Sequence, residues 1–158
     1  AMATTVRVGH AVGAGDPSAV RWSAAAGYSL AMLAQTLSAL VLVFAGVWLA
    51  GLFTRDPAVI ALAALLMAYA AVFQYPDGLQ AMSAGALRGL KDTRVPMFIA
   101  MFAYWGLGMP LGAGLGLGLG MGPQGMWIGL IVGLTAAAIL MGWRLRRSSL
   151  RIGQSVLS

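Results

Sequence analysis

The sequence predicts an all-α integral membrane protein: a bundle of four transmembrane helices plus the end of a fifth. Two observations carry that expectation. Of 158 residues, 60% are hydrophobic and only 9% are charged, whereas about a quarter of a soluble domain is charged. The charges are also segregated. They gather in short loops, and the runs between them exceed the roughly 20 apolar residues that cross a bilayer as a helix.

Residues 1–15 read as the end of a preceding helix and a cytoplasmic loop. The opening Ala1-Met2-Ala3-Thr4-Thr5 has no basic segment followed by a short apolar core and cleavage site, so it looks like a cut through something larger. Asp16-Pro17-Ser18 supplies a helix start with proline in the first turn. No charge follows from Trp22 to Thr54, which predicts a first span over about 19–50. Arg55-Asp56-Pro57 is a turn, and a second span over about 57–88 is uncharged except for Asp77. Arg88 to Arg94 is a polar loop. The uncharged run from Val95 to Trp143 holds two more spans, about 95–114 and 123–145, divided by a flexible extracellular turn at Gly112–Pro123. Residues 16–147 thus form the membrane bundle, and 148–158 form a weakly ordered cytoplasmic tail.

Nine of the ten basic residues fall on one side of this layout, and Arg55 alone falls on the other. The positive-inside rule places the nine, and with them the C-terminus, in the cytoplasm. Trp22, Trp48, Trp127 and Trp143 fall near the expected interfaces, and Trp105 is expected to line the interior.

Composition excludes several functions. The net charge of +6 reflects topology signals; no basic stripe with interleaved aromatics exists, so nucleic acid is not a partner. There is no cysteine and only one histidine, His10, so neither a thiolate site nor a metal cluster can be built. No nucleophile–base set is available for a membrane enzyme. Val8–Asp16 has the glycines of a dinucleotide fingerprint but neither the preceding strand nor the later acid. The Gly-Leu repeat at 112–122 lacks the lysine and Ser/Thr of a phosphate loop.

Asp77 is the residue that points to function. A carboxylate at the centre of a spanning helix costs about 2.5–3.5 kcal/mol on insertion scales, and such residues face a water-filled path or a partner. Phe73, Gln74, Gln80 and Ala81 are its neighbours at helical spacing. Gln74 and Gln80 are placed to hydrogen-bond the carboxylate, and Ala81 leaves room beside it. Pro76 and Gly78 flank it. Proline removes a backbone donor and crowds the preceding turn, so a kink is expected here, opening a cavity of the kind that holds ion sites in broken transporter helices. The competing reading of Asp77 is a structural acid in a packed interior. Arg88, eleven residues on, reads as an interface anchor, and Asp92 beside Lys91 as a solvated turn. Gly125, Gly129, Gly133 and Ala137 recur every fourth residue, a spacing that lets helices approach closely in lipid. This face permits a second reading of the whole chain: a non-transporting membrane scaffold or assembly module packing through Gly125-Gly129-Gly133.

Three segments taken together resemble a known family: Thr5–Asp16, Phe73-Gln74-Tyr75-Pro76-Asp77-Gly78-Leu79-Gln80, and Gly85-Ala86-Leu87-Arg88-Gly89-Leu90-Lys91-Asp92-Thr93. In order and spacing they are similar to the C-terminal lobe of the multidrug and toxic compound extrusion (MATE) transporters, NorM-like branch. Tyr104–Pro110 and Gly125–Gly129 also fit. The resemblance implies a fragment of a twelve-helix transporter, from the end of its eighth helix to its twelfth. It implies a bacterial inner-membrane antiporter that expels cationic or aromatic drugs in exchange for H⁺ or Na⁺. A missing N-terminal bundle and the bilayer are the implied partners, and no cofactor is implied beyond the coupling ion. The family's coupling acid falls on Asp77. A family tyrosine one turn earlier is replaced by Phe73, which removes an oxygen from any Na⁺ site at Asp77 and favours the proton.

Overall fold

A computed structural model describes residues 1–155 of the chain, with side chains through Ser149. Among the described residues all regular structure is helical. Helix α1 covers Met2–Gly13, α2 Pro17–Phe44, α3 Gly46–Gly51 and α4 Pro57–Gly89. A composite third span follows, formed by α5 (Arg94–Met101), a π-helical segment (Phe102–Gly108), α6 (Met109–Ala113) and a second π-helical segment (Gly114–Gly118). Helix α7 covers Pro123–Ser155. Four of these stretches are long and apolar enough to cross a membrane.

Local chemistry explains the boundaries. The Asp16 carboxylate accepts from the N–H groups of Ser18 and Ala19 at 2.9 and 3.0 Å, capping α2 one residue before Pro17. Asp56 caps α4 in the same way, accepting from Ala58 N–H at 2.9 Å before Pro57. Each cap satisfies donors that a helix start leaves free. The first span is interrupted at Ala45, whose φ of −103° and ψ of 2° separate α2 from α3, so the stretch expected at 19–50 is two successive helices.

The third span differs most from expectation. Pro110 has no N–H for the Gly106 carbonyl and its ring crowds the turn before it; a widened π-helical turn at Phe102–Gly108 accommodates it. The widening also sets register. Ala103, Gly108, Gly112 and Gly116 are all buried, with a first step of five residues and then steps of four. A uniform α-helix would carry Gly108 off this face. Trp105, two residues after Ala103, is 69% exposed, so it is not packed inside this bundle. The helix also continues through Gly118 into residues expected to be a flexible turn. Only Leu119–Gly122 turn, with Gly120 and Gly122 at φ +69° and +58°. At the other end α7 runs on to Ser155, so Ser148–Ser155, expected as a weakly ordered tail, are helical; 156–158 lie outside the described residues.

The small-residue face of α7 meets this third span. A Cβ on Gly129 would overlap the Gly112 backbone, and one on Gly133 would lie 2.8 Å from the Ala103 carbonyl oxygen. Gly125 packs in the same way on Leu115 and Gly116. The face that a scaffold reading needs free is therefore filled by the chain's own neighbour.

A buried cluster of Val8, Ala11, Val20, Ala86, Leu87, Met141 and Leu145 ties α1, α2, α4 and α7 together at the basic end. Asp92, expected in a solvated turn, instead accepts from Arg144 Nε at 2.8 Å, with its side chain only 15% exposed. The loop after α4 is thereby fastened to α7. Lys91 adopts φ +60° to make that turn. Large apolar side chains such as Leu30, Leu37, Phe44, Val72 and Phe98 are exposed, as suits a lipid solvent.

Candidate functional site

Helix α4 runs unbroken through Pro76 and carries Asp77 about 18 Å from its basic end, at 1.5 Å per residue. Phe73, Asp77, Gln80, Ala81 and Ala84 share one face at helical spacing. The Asp77 side chain is half-buried, and it has neither a hydrogen bond nor an ion pair among the described residues. Arg88 lies about 16 Å further along the helix and donates its Nε back to the Ala84 carbonyl at 3.2 Å.

The two glutamines expected to bond the carboxylate have other positions. Gln80 Oε1 faces the Tyr104 hydroxyl at 3.5 Å, which brings the π-helical segment of the third span next to Asp77; the Asp77 carboxylate is within electrostatic reach of that hydroxyl. Gln74 presents its backbone carbonyl to Gln35 of α2, whose Nε2 donates at 2.6 Å. The side-chain nitrogen of Gln74 and the Oε1 of Gln35 are both buried without partners. Phe73 meets Trp127 of α7 edge-on, with ring centroids 5.4 Å apart. Ala84 and Gln80 line a cavity of about 250 Å³ that runs past Met97 and Ala100 to Arg88.

The expected opening at the proline lies behind the acid rather than in front of it. A cavity of about 410 Å³ is bounded by Tyr28, Pro76, Leu79, Ser83, Thr135 and Gly142 on the opposite flank of α4. It is apolar apart from hydroxyls. Those of Tyr28 and Ser83 are 2.6 Å apart, and Ser83 donates to the Leu79 carbonyl at 2.7 Å. Asp77 does not border it.

The arrangement is thus a carboxylate without a hydrogen bond or ion pair among the described residues, one helical turn from Phe73, whose ring meets Trp127, and one turn from Gln80, which faces the Tyr104 hydroxyl, on a helix held at its flank by Gln35. Its chemistry is that of a proton or cation acceptor beside aromatic faces, which attract cations through the ring quadrupole. No group of three or more acidic, histidine or cysteine side chains converges among the described residues. The oxygens nearest to hand for a metal cation are those of Asp77, Gln80 and Tyr104, and Phe73 contributes none. Sequence reasoning missed Gln35, although it is the one glutamine in the uncharged run from Trp22 to Thr54. It named Tyr104 and Trp127 but did not bring them to Asp77.

Comparison with known proteins bears on the family and the fold. A family model described as MatE matches residues 1–113. The chain is 66% identical over 152 residues to "Probable multidrug resistance protein NorM" of Xanthomonas campestris pv. campestris, covering 96% of this chain and 33% of that protein. It is 48% identical over 154 residues to "Multidrug resistance protein PmpM" of Pseudomonas aeruginosa, covering 95% of this chain and 32% of that protein. The chain spans about a third of the length of the curated relatives it matches. Among solved structures, the crystal structure of the eukaryotic MATE transporter AtDTX14 aligns with a TM-score of 0.80 at 22% identity, covering 94% of this chain and 35% of that one; that likeness concerns the fold. With the family model matching most of its residues and four spans in place, this multi-pass membrane chain belongs to the MatE family, the multidrug and toxic compound extrusion transporters.

Proposed function

We propose that the chain is the C-terminal part of a secondary active multidrug efflux antiporter, in which Asp77 is the coupling carboxylate. The protein lies in the bacterial inner membrane with the basic loops and the C-terminus in the cytoplasm. Cationic or aromatic drugs leave in exchange for H⁺ or Na⁺. The observation that carries this reading is the Asp77 carboxylate within a membrane span, without a hydrogen bond or ion pair among the described residues, on the α4 face that also carries Phe73 and Gln80. An acid in lipid with no structural partner is retained for what it binds.

In one state Asp77 holds the coupling ion; in the other it is free to attract a cationic drug. A ligand shifts a conformational equilibrium only as far as it binds the two states differently, and a lone charge in a low-dielectric setting supplies such a difference. Phe73 offers no oxygen and few others converge, which favours the proton over Na⁺. Transport needs the cleft between two bundles, so the activity is that of the whole protein, with its N-terminal bundle. Asp77→Asn in that full-length protein should abolish drug resistance of the host cell at normal membrane levels. Unchanged resistance would defeat the coupling role.

A further inference from the structure

We infer that Gln35 is a positioning residue for Asp77: its side chain clamps the α4 backbone at the proline turn and so sets the direction of the carboxylate. The inference rests on the coupling role proposed for Asp77 and extends it to a second helix.

The geometry is specific. Pro76 leaves the Val72 carbonyl without its donor four residues on, which loosens α4 immediately before Asp77. In that same turn Gln35 Nε2 donates to the Gln74 carbonyl at 2.6 Å. The amide lies in a recess that exists only because residue 78 is glycine; a Cβ there would overlap the Gln35 amide. Gln74 is three residues before Asp77 and Gly78 is one after it, so a single side chain of α2 touches the backbone on both sides of the acid. Thr36, next to Gln35, receives the Tyr75 hydroxyl at 3.3 Å, so α2 holds two consecutive residues of this turn.

The joint is also incompletely satisfied. Gln35 Oε1 and Gln74 Nε2 are buried and unpartnered. An apolar side chain of similar shape at position 35 would avoid the share of that cost owed to Gln35 Oε1, since the cost falls on every buried polar atom without a partner. Methionine at position 35 would fill the recess with no donor and no orphaned oxygen. A residue that only packed would be better as methionine; one that aims Asp77 would not.

The test uses the full-length transporter in proteoliposomes, with ethidium as the cationic aromatic probe. Initial transport rates are recorded against the concentration of the driving cation, with proton and Na⁺ gradients tried in turn, and thermal stability is measured in parallel. Q35M should leave the melting temperature unchanged or higher while shifting the half-saturating cation concentration roughly threefold or more. G78A, which evicts the amide, should shift it likewise, and that shift should vanish when G78A is made in the Q35A background, where the recess is empty. Half-saturation equal to wild type in Q35M overturns the inference, as does a loss of stability with unchanged cation dependence. Should G78A fail to fold, Q35M alone decides. D77N run beside them separates the two claims: an inactive D77N with a wild-type Q35M removes only the role of Gln35, whereas normal transport by D77N removes both.

Discussion

Gly129 offers the sharpest test of the packing. Replacing it by alanine would put a Cβ inside the Gly112 backbone and 2.6 Å from the Gly108 carbonyl oxygen, where ordinary contact begins near 3.4 Å. Backbone cannot swing aside as a flexible side chain can, so α7 and the third span must separate by roughly 1 Å or more to restore contact distance to the Gly112 backbone. Overpacking of this kind in a close-packed interior costs about 1–3 kcal/mol. Gly142, on the same helix, is the matched control. A Cβ there would have the Ser83 hydroxyl as its nearest neighbour at 4.0 Å, and alanine is the better helix former by about 0.8–1.0 kcal/mol. Unfolding of the full-length protein in detergent, followed by tryptophan fluorescence, should therefore show Gly129→Ala destabilised and Gly142→Ala unchanged or stabilised. Equal behaviour of the two variants would refute the packing of α7 on its own third span and would reopen the face to a second copy.

Other perturbations follow from single contacts. Asp92→Asn breaks the half-buried pair with Arg144 and should cost about 1–2 kcal/mol, between the values for exposed and buried pairs; a cycle with Arg144→Met should show most of that energy as coupling. Hydrogen bonds from Ser18, side chain first, and from Ala19 hold the Asp16 carboxyl below its ordinary value. Its capping contribution is therefore present above the ordinary carboxylate range and lost as pH falls through the lowered value, and Asp16→Ala should remove that part of the acid dependence of unfolding. Phe73→Tyr restores an oxygen one turn before Asp77 and should make ethidium transport respond more strongly to a Na⁺ gradient, measured at fixed pH.

The four spans were legible because charges mark their ends: Arg55 and Asp56 close one, and Arg88 to Arg94 divide the next two. The π-helical segments were not legible, because widening a turn by one residue leaves composition and periodicity almost unchanged. The five-residue step from Ala103 to Gly108 gains meaning only opposite the four-residue ladder of Gly125, Gly129, Gly133 and Ala137. Asp77 stood out as a lone charge in a long apolar run. Gln35 did not, since a neutral amide in such a run is unremarked until its partner, 39 residues away, is placed beside it. Asp92 misled for the opposite reason. Its sequence neighbours Lys91 and Arg94 made a solvated turn the simple expectation, while its partner Arg144 lies 52 residues further on. Long-range pairing is the information that local chemistry lacks.

The central claim is that occupancy of Asp77 couples ion flow to drug movement. The most direct measurement is ethidium transport by the full-length protein in proteoliposomes under an imposed cation gradient, comparing wild type with Asp77→Asn. The account predicts that the gradient drives ethidium across the membrane in wild type and has no effect on its distribution in the variant. An equal gradient-driven rate in both would contradict it.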